Sequence, residues 1–575
     1  MGRVKRALLA IALFALVAMP ASAEGHVYRF FNWDVPGVPG VVYASWNQIQ
    51  GSSESYNWGG LDAALARIQA PAQIFVTVAE SDIYEPVGDQ AQYFCDLTPA
   101  WVYAGQGRPT DMNGKPVGHK ITGCDGYAVI PAYDSAGWRE AYWRLVRAMG
   151  EHYRNNPQVT SVVVGTGLDS ETQPIKSQKC SWADLMRAQA PDVEYRFDGT
   201  NDQFIGRTMQ VYKESFGDKV LLLNNAPGER RCDRADYAAT LGIGLKHAGM
   251  WVDLDSHQGY GNYCGSWDPI RAYSQTLPIW LETPYGFGGK ELLYWSILAG
   301  LNYHPDGMNI HSGLWDLMDV AMKEWIEAHL DVTIADTPSV WAVMRDAEYP
   351  LQSWGSGGCS GHMGDWIFWM TRTSVNQRVW RSSIPAGREA QEARQCRLGG
   401  LFTFDIDPGF VREKYMIWAT ILDYGQGDAM LRWRTGEGTW GSAIWKLENT
   451  GKWVILRAEA PGLQVDGVVD VELRGASDLY LHGIEVDGVG IEPGPTLGPS
   501  ATPLNTPTPY STETPKPTIT PTWTKVPTVT PTYTAFYPTA TTTSTPTWTL
   551  EQEAEHLVER AREIGLEWLV IEVVR

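Results

Sequence analysis

Between about residues 40 and 330, short apolar segments alternate with amphipathic helical ones. This alternation restricts the chain more than any other feature, because strand–helix–strand units build parallel sheets. Strands are read at VVYASW (41–46), IFVTVAE (74–80), YAVIPAY (127–133), SVVVGTG (161–167), VLLLNN (220–225), MWVDLD (250–255) and PIWLE (278–282), with a weaker one over 307–311. Helical patterns such as GWREAYWRLVRAMGEHYR (137–154) and RADYAATLGIGLKH (234–247) lie between them. Eight strands over about 290 residues predict an α/β fold, a (β/α)8 TIM barrel. A doubly wound open sheet is the alternative, although no glycine-rich phosphate loop follows the first strand.

The segment 81–126 has no clear helical pattern and carries Pro, Gly, two Cys and the aromatic stretch PAWVYAG. A loop of that length at the C-terminal end of a barrel strand is expected to overhang the barrel mouth. From about 350 to 493 the helical period fades into short strand patterns such as DWIFWMTR, GLFTFDID and KYMIWATILDY. These predict an antiparallel, jelly-roll-like β-sandwich. The tryptophans there include Trp366, Trp369, Trp418, Trp433, Trp440, Trp445 and Trp453. Most are expected in the core, with one or two left as sugar platforms.

The ends read differently. Residues 1–23 have a basic start, an apolar run and Ala21-Ser22-Ala23, the pattern of a cleaved secretory signal. No later segment reaches the roughly 18–20 apolar residues of a membrane span. The expected organisation is a signal peptide over 1–23, a catalytic barrel over 24–345 and a sandwich over 350–493. A Thr/Pro-rich, disordered linker over 494–550 and the truncated start of a further domain over 551–575 complete it. The expected location is therefore secreted, extracellular or cell-surface. A formal charge of −20 argues against nucleic acid as a partner. Seven cysteines in an exported chain suggest disulfides, with Cys95–Cys124 and Cys359–Cys396 as the expected pairs.

In a (β/α)8 barrel the chemistry gathers at the C-terminal ends of the strands. The acids there are Glu80, Asp169, Glu171, Asp253, Asp255 and Glu282. Glu171 follows the fourth strand and Glu282 closes the seventh, so their carboxyls could face each other across the barrel axis. Glycosidic hydrolysis uses such a pair, one carboxylic acid protonating the leaving oxygen and one carboxylate meeting the anomeric carbon. Asp169 is the rival acid, two residues from Glu171.

The stretches VVVGTGLDSET, with Glu171, and PIWLETPYG, with Glu282, resemble the clan of retaining (β/α)8 glycoside hydrolases that includes β-galactosidases of the family 42 type. The resemblance is distant and spans roughly residues 40–330. It implies a covalent glycosyl-enzyme at Glu282, with Glu171 acting first as acid and then as base. Ser170 stands where the clan has Asn before its acid/base, and Glu80 where it commonly carries Arg.

Sugars offer hydroxyls to polar groups and C–H faces to aromatic rings. The candidate substrate-binding residues are Trp46, Glu80, Trp101, Tyr133, Asn225, Asp255, His257, Tyr285 and His304. The expected function is thus a secreted retaining glycoside hydrolase acting on an oligo- or polysaccharide, with no cofactor and no metal. The alternatives are a non-catalytic carbohydrate-binding surface protein on a barrel scaffold, and a metal-dependent hydrolase using Asp253, Asp255 and His257.

Overall fold

The computed structural model describes residues 26–30, 36–87, 90–122, 127–172, 204–225, 231–247, 268–283, 289–344, 365–374, 378–381, 392–396, 400–436, 438–466, 469–488 and 502–503. All of these lie in one compact unit. The expected leader, the C-terminal segment and all of the Thr/Pro-rich tract except Thr502–Pro503, which pairs with Val454 and Ile455, lie outside the described residues, as do Cys124 and Cys359. Cys232 is disulfide-bonded.

Eight parallel strands close into a barrel in chain order: His26–Phe30, Gly40–Ser45, Ala72–Thr77, Val159–Val164, Val220–Asn224, Gly244–His247, Ile279–Glu282 and Gly307–His311. The ring closes where the first strand pairs with the eighth, Tyr28 opposite Asn309 and Phe30 opposite His311. The second strand pairs with the third over six residues, from Gly40 opposite Ala72 to Ser45 opposite Thr77. Helices such as Ala136–Tyr153 and Phe204–Phe216 bury one face against the barrel's outer side. The first is capped by Ser135, whose hydroxyl accepts from the Trp138 amide, which satisfies one of the unpaired donors of a helix start.

Three assignments from the sequence change. HVYRF supplies the first barrel strand. YAVIPAY does not supply the third: residues 127–130 pair antiparallel with His119–Thr122 and parallel with Gln90–Asp96. Together with Ala79–Val87 they form a separate four-stranded sheet, three of whose strands lie in the segment expected to be a loop. The sixth strand is Gly244–His247, inside the stretch read as helix. The helix stops at Thr240, Gly242 takes the left-handed φ of +64° that ends helices, and the chain then extends. A side chain at 244 would collide with the Pro278 carbonyl, so glycine lets the sixth and seventh strands approach there.

The barrel interior is layered. Tyr28, Val41, Val163, Val220, Leu222 and Trp280 fill its lower part, and Gly307 has no side chain because the Trp280 indole occupies that space. A buried polar chain runs among them. Trp280 Nε1 donates to Asn309 Oδ1 (3.1 Å), Asn309 Nδ2 to Gln73 Oε1 (3.0 Å), and Gln73 Nε2 to Ser161 Oγ (3.1 Å). Four strands are thereby tied across the lumen, and the buried amides find the partners that burial requires.

Beyond the barrel two antiparallel sheets form a sandwich. One contains Ser339–Val343, Trp366–Phe368, Tyr415–Asp423, Lys452–Glu459 and Leu479–Gly488; the other contains Met370–Arg372, Leu401–Ile406, Gly427–Gly436, Thr439–Leu447 and Val471–Gly475. The stretch DWIFWMTR is split between them at Trp369, whose φ of +49° turns the chain from one sheet to the other. Trp366, Trp433, Trp445 and Trp453 are buried. The Arg457 and Arg432 guanidinium groups lie over the rings of Trp418 and Trp440, at 4.6 and 4.7 Å.

Candidate active site

The added first strand and the displaced third cancel in the count, so Glu171 still follows the fourth barrel strand and Glu282 still ends the seventh. Side chains alternate along a strand, and Glu282 shares the inward parity of Trp280. Its carboxylate Oε2 receives a hydrogen bond from Lys246 Nζ of the neighbouring sixth strand. The lysine side chain has no exposed surface, whereas that of Glu282 keeps 15% of its own. The ammonium also lies 5.6 Å from the Phe30 ring centroid and 5.8 Å from that of Phe75. A buried cation beside a carboxylate and between aromatic rings makes a tight pair, because little water screens it.

His311, inward-facing on the eighth strand, completes this side. Its Nδ1 accepts from the Gly313 amide (3.2 Å) and its own amide donates to Thr283 Oγ1 (2.8 Å). Burial moves the imidazole below its ordinary value, and the Glu282 charge partly restores it.

Glu171 is placed by a constrained turn. Asp169 and Ser170 both have left-handed φ, +51° and +57°, uncommon for residues with a side chain. The surroundings hold them there: the Asp169 amide donates to the Ala79 carbonyl (2.9 Å) and Ser170 Oγ to the Val76 carbonyl (2.6 Å). Thr166 Oγ1 donates to the Glu171 carbonyl (3.0 Å), and the Thr172 amide to the Asn224 carbonyl (3.0 Å). Gly165 at the foot of this turn leaves no room for a Cβ, which would come within 2.6 Å of the Val76 carbonyl and 2.8 Å of the Tyr142 hydroxyl. Glu171 itself is only 7% exposed. Strain held in place at the end of a barrel strand is commonly a mark of function.

Glu80 stands on the same rim, following the third strand rather than the second, and accepts a hydrogen bond from Tyr43 Oη (3.1 Å). Burial first, then the charges of Glu80 and Asp169, pushes the Tyr43 phenol far above its ordinary value. That places Glu80, Tyr43 and Asp169 within electrostatic reach of one another. Asn225 follows the fifth strand; its Oδ1 accepts from Arg234 Nε (3.3 Å) and its amide donates to the Lys246 carbonyl (3.2 Å).

The remaining candidates are elsewhere. Trp46 is fully buried, its ring edge-on to Trp138 at 5.6 Å and its Nε1 donating to Gln50 Oε1. Tyr133 is also fully buried, packed on Trp138 and Phe204. Both therefore brace the helical layer and offer no surface to a ligand. Trp101 lies on a short 3-10 turn, Ala100–Tyr103, tied through Nε1 to the Gln50 carbonyl. His304 precedes the eighth strand, at the end of the barrel opposite the mouth. Asp253, Asp255, His257 and Tyr285 lie outside the described residues. Among the described residues no group of three or more His, Cys, Asp or Glu is arranged to hold a metal. Nor is any helix there long and apolar enough to cross a membrane.

Lys246, His311 and Tyr43 were not anticipated from sequence. Lys246 was hidden because GLKH extends the period of the preceding helix. The glycines Gly242 and Gly244 were the available signal.

No family model matches the chain, and no curated protein matches it. Solved structures with a similar course include GH5_18 from Bifidobacterium longum subsp. infantis, at 13% identity and a TM-score of 0.27 over 47% of this chain and 60% of that one. A β-galactosidase from the psychrophilic Marinomonas ef1 gives 13% and 0.27 over 47% and 49%. A calcium-binding mutant of Bacteroides uniformis β-glucuronidase 2 gives 9% and 0.27 over 82% and 66%. The chain thus spans about half to three fifths of the length of the first two. Likeness of this degree carries nothing about activity; the barrel stands on its own hydrogen-bond register.

Proposed function

We propose that this chain is a secreted glycoside hydrolase that cleaves an oligo- or polysaccharide with retention of anomeric configuration. The observation that carries the reading is the inward Glu282 carboxylate held by the buried Lys246 ammonium at the C-terminal end of the seventh strand. One oxygen is engaged by the lysine, which fixes the carboxylate plane and leaves the other oxygen for the anomeric carbon. Glu171, after the fourth strand, donates a proton to the leaving oxygen and then takes one from the incoming water, so that one residue serves both half-reactions. Tyr43, Glu80 and Asn225 supply hydroxyl, carboxylate and amide groups for sugar hydroxyls on the same rim. Asp169 is the rival donor, because its charge acts on Tyr43 at the same rim.

The test is covalent trapping. A fluorinated glycoside that slows release of the glycosyl-enzyme should add the mass of one sugar, and peptide mapping should locate it on Glu282. Labelling at another residue, or release of the inverted anomer from an ordinary substrate, would contradict the assignment.

A further inference from the structure

At the barrel end away from the mouth, a surface cavity of about 570 Å³ opens between the base of the barrel and the sandwich. Its size falls within the roughly 300–1,000 Å³ of small-molecule sites. The barrel contributes Arg271, from the helix Asp268–Tyr273, and His304, from the turn before the eighth strand. The sandwich contributes Trp369, Thr371, Asp405 and Asp407. Trp369 and His304 both have left-handed φ, +49° and +50°, and their rings stack at 4.1 Å. The Trp369 carbonyl accepts from the Asp407 amide (2.9 Å), which ties the Trp369 backbone to the strand end carrying the two carboxylates. Asp405 Oδ1 and His304 Nδ1 are buried with no hydrogen-bond partner, a costly arrangement that a ligand group could relieve.

We propose that this cavity is a second, non-catalytic binding site for a neutral saccharide unit. A fixed indole suits the C–H face of a sugar ring. The Asp405 and Asp407 carboxylates accept from its hydroxyls, and the Arg271 guanidinium and Thr371 hydroxyl donate to its oxygens. The mixture of signs selects against charged ligands, since Arg271 opposes a cation and the two aspartates oppose an anion. Burial leaves the His304 imidazole uncharged, its titration lowered to about 4, so it adds no charge near neutral pH. The site requires no turnover at the mouth.

The test is isothermal titration of the full chain carrying Glu282→Gln with galacto-, xylo- and cello-oligosaccharides, repeated after adding Asp405→Asn, Arg271→Ala or Trp369→Phe. At least one sugar should bind, and each added variant should weaken one class of site roughly tenfold, as expected for loss of a charged or stacked contact. The same variants with Glu282 intact should keep parental turnover of a small aryl glycoside, which separates this site from the mouth. If Trp369→Phe fails to fold, the other two carry the test. Isotherms that superimpose on the parent's, or no binding by any of the sugars, would overturn the proposal.

Discussion

Lys246 and Glu282 exchange a buried charge, so neither tolerates loss of the other. Lys246→Met should destabilise the chain by about 3–5 kcal/mol, the usual cost of stranding one member of a buried ion pair. Adding Glu282→Gln should recover part of that loss, and urea denaturation of both single variants and the double variant measures the coupling. Equal and additive losses would mean that the pair contributes nothing beyond packing. The pair also shows where sequence reasoning reached its limit. Glu282 is marked by PIWLE, an apolar run ending on an acid. Lys246 is a single cation at the end of GLKH, after a helix whose period runs into it. Burial of Trp46 and Tyr133 was equally invisible, since an aromatic residue near a strand end reads alike whether it faces a ligand or a helix.

Elements hold the site through their interiors. Asn309 accepts from Trp280 and donates to Gln73 in the buried chain across the lumen. Asn309→Leu would leave an indole N–H and an amide carbonyl without partners, and should cost about 2–4 kcal/mol at nearly constant volume. A loss below 1 kcal/mol, measured by urea denaturation, would mean that the chain of amides is not structural. In the sandwich, Asp470 is fully buried and accepts from the Ile406 amide (2.9 Å). Burial dominates, and its carboxyl is pushed up to about 7 from an ordinary 3.8. The folded state therefore holds this proton more tightly than the unfolded one. The resulting stability is complete below about pH 4 and lost as pH rises through about 7. Relative to Asp470→Asn, the parent should lose stability between pH 4.5 and 8, and denaturation at several pH values checks the sign. At this scale the sequence reading reached eight strands by two cancelling differences. HVYRF is only five residues long and directly follows the apolar leader, so nothing set it apart. YAVIPAY has the apolar character of a barrel strand, and only tertiary pairing assigns it to the side sheet. Thr439–Leu447 escaped notice because Gly441 and Ser442 interrupt its apolar alternation.

At the level of the whole molecule, the sandwich has its own apolar core but lends several residues to the barrel's. Trp341, Val343, Trp366 and Phe368 from sandwich strands cluster with Leu298 and Ile326 from barrel helices. Tyr294 Oη meets His482 Nε2 at 2.6 Å, and the Ile367 amide donates to Asn302 Oδ1 at 2.9 Å. The two parts should therefore unfold in one calorimetric transition, and a chain ending at Thr337 should expose that surface and aggregate. Two separated transitions would show that they are independent. The sandwich was legible because alternating strands and turn residues announce themselves locally. Its union with the barrel was not, because the contacts join residues far apart in the chain, 65 positions for Asn302 and Ile367 and 188 for Tyr294 and His482.

The central claim is that the two glutamates at the mouth carry hydrolysis, and turnover of an activated aryl glycoside tests it most directly. Glu282→Gln and Glu171→Gln should each fold, the first with a lowered melting temperature because Lys246 loses its charged partner, and each should lose about a thousandfold or more in kcat, in line with loss of a positioned nucleophile or proton donor. A folded variant of either residue that keeps most of the parental rate would contradict the account.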